Sequence, residues 1–158
     1  MPEPRKRIAQ AVHHGDDLPD VNVWLALAVR QHPHHAAAAA YWKNLTGRSV
    51  WFYRVTMLGL VRLLSQPKVM GDQALTLTQA IAAYHQFALL PEVSLQPEPA
   101  DCGDQRQHFL STDTPARLLT DAYLAAFAVS ARMRMVTFDK DFDRFVGLDY
   151  LRLVATRH

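Results

Sequence analysis

Cysteine is nearly absent. The chain has one in 158 residues, Cys102, which excludes an intrachain disulfide and fits a reducing cytosol. A lone cysteine also leaves no Cys/His set with the spacing of a structural zinc site, which needs about four fixed ligands. No run of about 18 apolar residues occurs, so nothing in the sequence reads as a membrane span. Neither sign of charge dominates: 17 Lys and Arg against 15 Asp and Glu leave +2. Net charge therefore does not announce a polyanion, and any such contact has to be a local groove. There is no internal repeat, and no low-complexity segment beyond a short alanine run at 36–40.

What remains has the composition of an ordinary globular domain, 49% hydrophobic and 20% charged. A chain of this length is most simply one domain burying roughly two-thirds of its unfolded surface. Residues 1–16 are the exception. They carry two prolines, a basic Arg5-Lys6-Arg7 start, His13-His14-Gly15 and the acids before Leu18, with little periodicity. No apolar segment follows the basic start, so it does not read as a signal peptide. The expected organisation is a flexible extension over 1–16 and a folded domain over 17–158.

Along the domain, strand and helix signals alternate. Leu18-Pro19 is a short apolar strand, and Val23, Trp24, Leu25 and Leu27 begin a helix that Pro33 stops. A second, alanine-rich helix covers 34–45, and Ser49–Tyr53 is β-prone. Leu58, Leu60, Val61 and Leu64 give the next helix its apolar face, and a further helix spans 75–90. Val93-Ser94-Leu95 reads as a strand and 104–110 as a short helix. A long helix runs over 120–132, with Met135–Phe138 and Tyr150–Val154 as the last strands. Strands alternating with helices imply a parallel sheet covered on both faces.

Three aspartates fall at the ends of these elements. Asp20 follows the first strand, Asp121 stands in the first turn of the long helix behind Thr120, a plausible N-cap, and Asp139 follows Val136-Thr137-Phe138. In a parallel sheet, strand C-termini and helix N-termini share one edge, where open α/β sheets place ligands. Unpaired, three such charges repel; a hard divalent cation with a preference for oxygen removes that cost. Each residue also has a simpler reading. Asp121 can serve the helix dipole, Asp139 can form a turn before Lys140-Asp141, and Asn22 can cap the helix after the first strand. His32, His34 and His35 are either solvated or set beside the same edge; the aromatic residues read as core or as a dimer surface.

Four stretches in order carry a resemblance: Leu18-Pro-Asp-Val-Asn-Val-Trp-Leu-Ala-Leu, Arg54-Val-Thr-Met-Leu-Gly-Leu-Val-Arg-Leu-Leu, Thr120-Asp-Ala-Tyr-Leu-Ala-Ala-Phe-Ala and Val136-Thr-Phe-Asp-Lys-Asp-Phe. Together they resemble the motifs of PIN-domain ribonucleases, and more narrowly VapC-type toxins of toxin–antitoxin pairs, over about residues 17–155. The resemblance implies a three-layer α/β/α sandwich around a central parallel sheet. It implies a Mg²⁺- or Mn²⁺-dependent endoribonuclease whose metal-binding and catalytic acids are Asp20, Asp121 and Asp139. Asn22 becomes the polar partner of Asp20, while Thr56 and Arg54 are candidates beside the site or the substrate phosphate. An RNA substrate, a small antitoxin, a homodimer and a cytoplasmic location, with no membrane association, are implied as well. Residues 1–16 then have a second reading, a basic arm on RNA.

One position departs from the pattern. The family's second motif carries an acid after the Val-Thr pair; here Met57 stands there, and a thioether is a poor ligand for a hard cation. The rival this opens is a weakened PIN module that binds RNA or antitoxin without cleaving. A second rival, a phosphatase-like nucleophilic aspartate at Asp20, wants an acid two residues on, where Asn22 stands.

Overall fold

The computed structural model describes residues 15–155; most of the 1–16 extension, including its basic cluster, lies outside them. β1 (Asp17–Pro19) leads into α1 (Val21–Ala28) and α2 (His35–Lys43). β2 (Val50–Tyr53) is followed by α3 (Arg54–Leu64), the one-turn α4 (Pro67–Met70) and α5 (Leu77–Ala88). Then come β3 (Val93–Gln96), α6 (Cys102–Phe109), α7 (Leu119–Ser130), β4 (Arg134–Thr137) and β5 (Tyr150–Arg152). The strands form one sheet in the order β3-β2-β1-β4-β5, with every pairing parallel. Among the described residues no helix is long and apolar enough to cross a membrane.

Period-two alternation makes the three layers. In β2, Val50 and Phe52 face an apolar cluster with Trp24, Leu60, Leu64, Ala80 and Tyr84, from α1, α3 and α5. Trp51 and Tyr53 face the other side and pack with Leu18, Met135, Phe127 and the alanines of α7. Small residues at Ala122, Ala125, Ala126 and Ala128, all fully buried, let α7 lie close on the sheet. Trp24 stacks on Phe52 with ring centroids 3.7 Å apart, which locks α1 to the sheet just behind Asp20.

Two details differ from the sequence reading. Thr120 does not cap α7. A 3-10 turn, Ala116–Leu118, runs straight into the helix, which starts at Leu119 with buried Leu118 as its flanking residue. Asp17, grouped by sequence with the polar run before Leu18, is instead a fully buried residue of β1. Its Oδ1 accepts from Arg48 Nε at 2.8 Å and Arg134 Nε at 2.9 Å; its Oδ2 accepts from Arg134 Nη2 and the Tyr41 hydroxyl, both at 2.8 Å. One carboxylate thus clamps β1 to β4 and to the approach of β2, at the sheet edge opposite the acids.

Strand order sets the location of the site. From β1 the chain runs outward through β2 and β3, then returns to add β4 and β5 on the other side. The direction reverses between β1 and β4, and a crevice opens beyond the C-terminal ends of strands at such a switch. Asp20 ends β1 there, and Asp139 lies just past β4.

Candidate metal centre

Asp20 is 5% exposed. It leaves β1 with extended backbone angles and caps α1: its Oδ1 accepts the Val21 N–H at 2.7 Å. Its Oδ2 accepts from Asn22 Nδ2 at 3.0 Å and from the fully buried Thr137 hydroxyl at 3.1 Å. Asn22 also reaches across the switch, where its Oδ1 accepts the Phe138 N–H at 3.4 Å. The helix cap that sequence allowed for Asn22 is therefore made by Asp20, and Asn22 fastens Asp20 to the end of β4.

Asp139 is held from both sides. Its own N–H donates to Thr137 Oγ1 at 3.0 Å, and its Oδ1 accepts the Asp141 N–H at 2.8 Å, which opens the 3-10 turn Lys140–Arg144. That turn brings in a further acid, Asp141. One carboxylate oxygen each from Asp121, Asp139 and Asp141 lies within 4.8 Å of the others. The signal for Asp141 was the Asp-x-Asp spacing of 139 and 141, legible only once the turn after β4 is known. Arg117 pairs with the outer face of Asp141 at 2.9 Å.

The electrostatics match three acids pressed together. Burial, above all, pushes the Asp20 carboxyl up to about 7, with the charges of Asp121 and Asp139 adding to it against the hydrogen bonds from Val21 and Thr137. Asp121 is raised to about 6, again first by burial and then by Asp139 and Asp141, with Arg117 and Arg144 opposing. Hard carboxylate oxygens converging from Asp121, Asp139 and Asp141, at a cost in mutual repulsion, are a donor set that suits Mg²⁺ or Mn²⁺. Asp20 lies deeper than the other three and joins them through its field and through Thr137.

The remaining candidates lie around this centre. The Thr56 hydroxyl is fully buried and donates to the Tyr53 carbonyl at 2.9 Å while accepting the Tyr53 N–H at 3.0 Å, so it fixes the start of α3. Arg54 is exposed at the first position of α3, just past β2. Met57, expected beside the ion, packs against the apolar cluster that contains Trp24, Phe52 and Leu60. It is at Gly59 that a Cβ would come 3.1 Å from Val21, the neighbour of Asp20. Of the histidines, His34 stacks its ring on Phe138 at 4.5 Å, one residue before Asp139, and its N–H donates to His32 Nδ1 at 3.1 Å. Burial, with His34 and His35 close by, lowers the His32 pKa.

A parallel five-stranded sheet with an acidic cluster at the β1/β4 switch defines a class, and the comparison with known sequences agrees: the PIN domain family model matches residues 18–148, and the chain belongs to that family. Its relatives include ribonuclease VapC41 of Mycobacterium tuberculosis, 38% identical over 144 residues, which cover 87% of this chain and 98% of that protein. Among solved structures, VapC20 of M. tuberculosis, described as a sarcin-ricin loop cleaving toxin, shares the fold with a TM-score of 0.64 at 20% identity, covering 90% of this chain and 99% of that one. VapBC-1 from nontypeable Haemophilus influenzae gives 0.61 at 15% identity, over 87% and 97%.

Proposed function

We propose that this protein is a metal-dependent endoribonuclease toxin that hydrolyses RNA phosphodiester bonds and is neutralised by a cognate antitoxin. The observation that carries this reading is the convergence of Asp121, Asp139 and Asp141 within 4.8 Å beside the buried Asp20. The VapC relatives support the activity, and the VapBC neighbour supports an antitoxin partner.

Asp20, Asp121 and Asp139 hold the cation, with Asp141 completing the set. Bound there, Mg²⁺ or Mn²⁺ supplies Lewis-acid stabilisation of the phosphoryl oxygens and lowers the pKa of an attacking water. The protein's own share is position. Asn22 and Thr137 orient the inner oxygen of Asp20, and the 3-10 turn aims Asp139 and Asp141 at Asp121. Arg54, exposed one strand away, takes a phosphate of the substrate, while Thr56 acts through the start of α3. Hydrolysis by water leaves a 5′-phosphate and a 3′-hydroxyl. Asn22 stands where the phosphatase-like reading with Asp20 as nucleophile wants a second acid, which disfavours that reading.

The exposed Leu58 and Leu77, on α3 and α5, border a cavity of about 610 Å³ and support a homodimer through that face. The lone cysteine supports a cytoplasmic location. The test is cleavage of a mixed RNA pool with Mn²⁺, with Mg²⁺ and with chelator. Cleavage should follow the cation and vanish without it. A rival reading has its own observation: α3 brings no acid to the site, as in a PIN module that binds without cutting. RNA or antitoxin binding with no cleavage at any cation concentration would establish that rival.

A further inference from the structure

Beyond the C-terminal ends of β2 and β3 lies a cleft that the acidic cluster does not use. β1 and β2 are neighbours in the sheet, with Asp20 directly after β1 and Tyr53 the last residue of β2. Tyr53 in turn pairs with Gln96. Two connected lobes, of about 540 and 270 Å³, share Tyr53, Val55 and Glu98. Leu95, Pro97 and Leu119 add apolar walls, and Arg54 stands in the larger lobe. Thr120, in the smaller one, directly precedes Asp121 in the chain.

Among its polar groups, which include Arg54, Gln96 and Thr120, the one carboxylate meets two phenols. Glu98 is exposed; its Oε2 accepts from the Tyr53 hydroxyl at 3.3 Å and its Oε1 from the Tyr123 hydroxyl at 3.4 Å. Both donors are anchored. Tyr53 is 4% exposed with its ring 4.1 Å from Phe127, and the Arg106 guanidinium lies over the Tyr123 ring at 4.7 Å. The two bonds are long for O–H···O contacts and leave each oxygen with capacity for another donor. An ionised carboxylate only accepts, so its ligand must bring N–H groups, and two adjacent oxygens suit two adjacent donors on one planar edge. Of the four RNA bases only guanine offers that on its Watson–Crick edge, through N1–H and the 2-amino group. Adenine and cytosine set one amino group beside an acceptor, and uracil sets one N–H between two.

We infer that this cleft is a guanine subsite, in which Glu98 reads the Watson–Crick edge of a base next to the scissile phosphate. The inference rests on the ribonuclease reading above. It makes Glu98 a specificity residue and leaves the chemistry to the aspartates. The apolar walls take the purine faces, and Arg54 takes a phosphate of the same nucleotide.

The first arm of the test uses free nucleotide and needs no cleavage. Binding of GMP and AMP to the full chain is measured by calorimetry without divalent ions, for wild type and Glu98→Gln. GMP should bind about tenfold more tightly than AMP, and the variant should lose that preference while melting at the wild-type temperature. Equal binding of the two nucleotides by wild type overturns the inference, with no need for the variant to fold. So does a preference that survives Glu98→Gln. A guanidinium also presents paired N–H donors, so acetyl-arginine amide is run as competitor; its binding in place of GMP gives the cleft to a protein partner and overturns the inference.

The second arm sequences the ends of a random RNA pool cut with Mn²⁺. Guanine should be enriched beside the cuts of wild type, and Glu98→Gln should cut without that enrichment. Cutting with no guanine bias in wild type overturns the subsite alone. A GMP preference without any cutting supports the subsite and removes the ribonuclease reading.

Discussion

The Thr137 hydroxyl donates to Asp20 at 3.1 Å while accepting the Asp139 N–H at 3.0 Å, so one oxygen couples the two acids across the strand switch. Thr137→Val keeps the shape and removes that oxygen. Because Thr137 is fully buried, the change strands a backbone donor and lets Asp20 turn. Divalent-metal affinity, read by Mn²⁺ calorimetry, should fall about 10- to 100-fold, the usual cost of losing such a supporting bond. An unchanged affinity would mean that Asp20 is oriented by α1 alone.

Asp20→Asn, Asp121→Asn and Asp139→Asn should each abolish cleavage while circular dichroism stays at wild type and the melting temperature does not fall. Each removes one negative charge at nearly constant volume. Loss of activity together with unfolding would make the aspartate concerned structural. Asp141→Asn is expected to be milder, because Arg117 already neutralises part of its charge. A drop in Mn²⁺ affinity with residual cleavage is the result that fits.

The metal-free protein should lose stability as pH rises. Asp20 and Asp121 are raised in the fold to about 7 and about 6. Between the unfolded carboxylate value near 4 and those values, the native state binds more protons than the unfolded chain. Unfolding free energy therefore falls through this window and levels off above about pH 7. In chelator, the melting temperature at pH 5 should exceed that at pH 7.5 by roughly 5 °C or more. Added Mg²⁺ should restore the loss mainly at the higher pH, where the carboxylates are free to bind it. A melting temperature that climbs with pH in chelator would contradict the burial of these acids.

Asp17→Asn should destabilise without touching the metal centre. It leaves Arg48 and Arg134 partly buried with no counter-charge, a change that costs about 3–5 kcal/mol in comparable sites. Urea unfolding should show it, and Mn²⁺ affinity of the folded fraction should stay at the wild-type value. A parallel loss of affinity would show that the two ends of β1 are coupled.

Met57→Glu should lower the melting temperature and leave Mn²⁺ affinity unchanged, because the thioether packs on the Trp24–Phe52 cluster. Tighter Mn²⁺ binding would return residue 57 to the site and remake the family's acid at the start of α3.

The sheet was legible because buried strands bounded by turn residues leave a plain trace, as Val50–Tyr53 and Met135–Thr137 do. Asp20, Asp121 and Asp139 were legible because each stands where such an element ends. Thr137 and Asp141 were not. A threonine closing a strand looks like ordinary β propensity until its hydroxyl is seen between two acids, and Asp141 depends on a 3-10 turn that periodicity does not reveal. Asp17 was lost for the opposite reason. An acid beside Asp16 in a polar run reads as solvent-facing, and only Arg48 and Arg134, distant along the chain, make its burial tolerable. The start of α7 moved for a similar cause: hydrophobic Leu118, not polar Thr120, sets the entry of the chain.

The position of β1 between β2 and β4 has a consequence for the order of events during synthesis. Its second edge stays open until Arg134–Thr137 arrives, 117 residues after the segment it pairs with. Loop closure over that distance is among the slowest contacts the chain has to make. The same late strand carries Thr137 and delivers Asp139 and Asp141. A nascent or truncated chain ending before β4 therefore holds Asp20 and Asp121 but no assembled centre, and the capacity to cut arises only once β4 and the turn after it have been made.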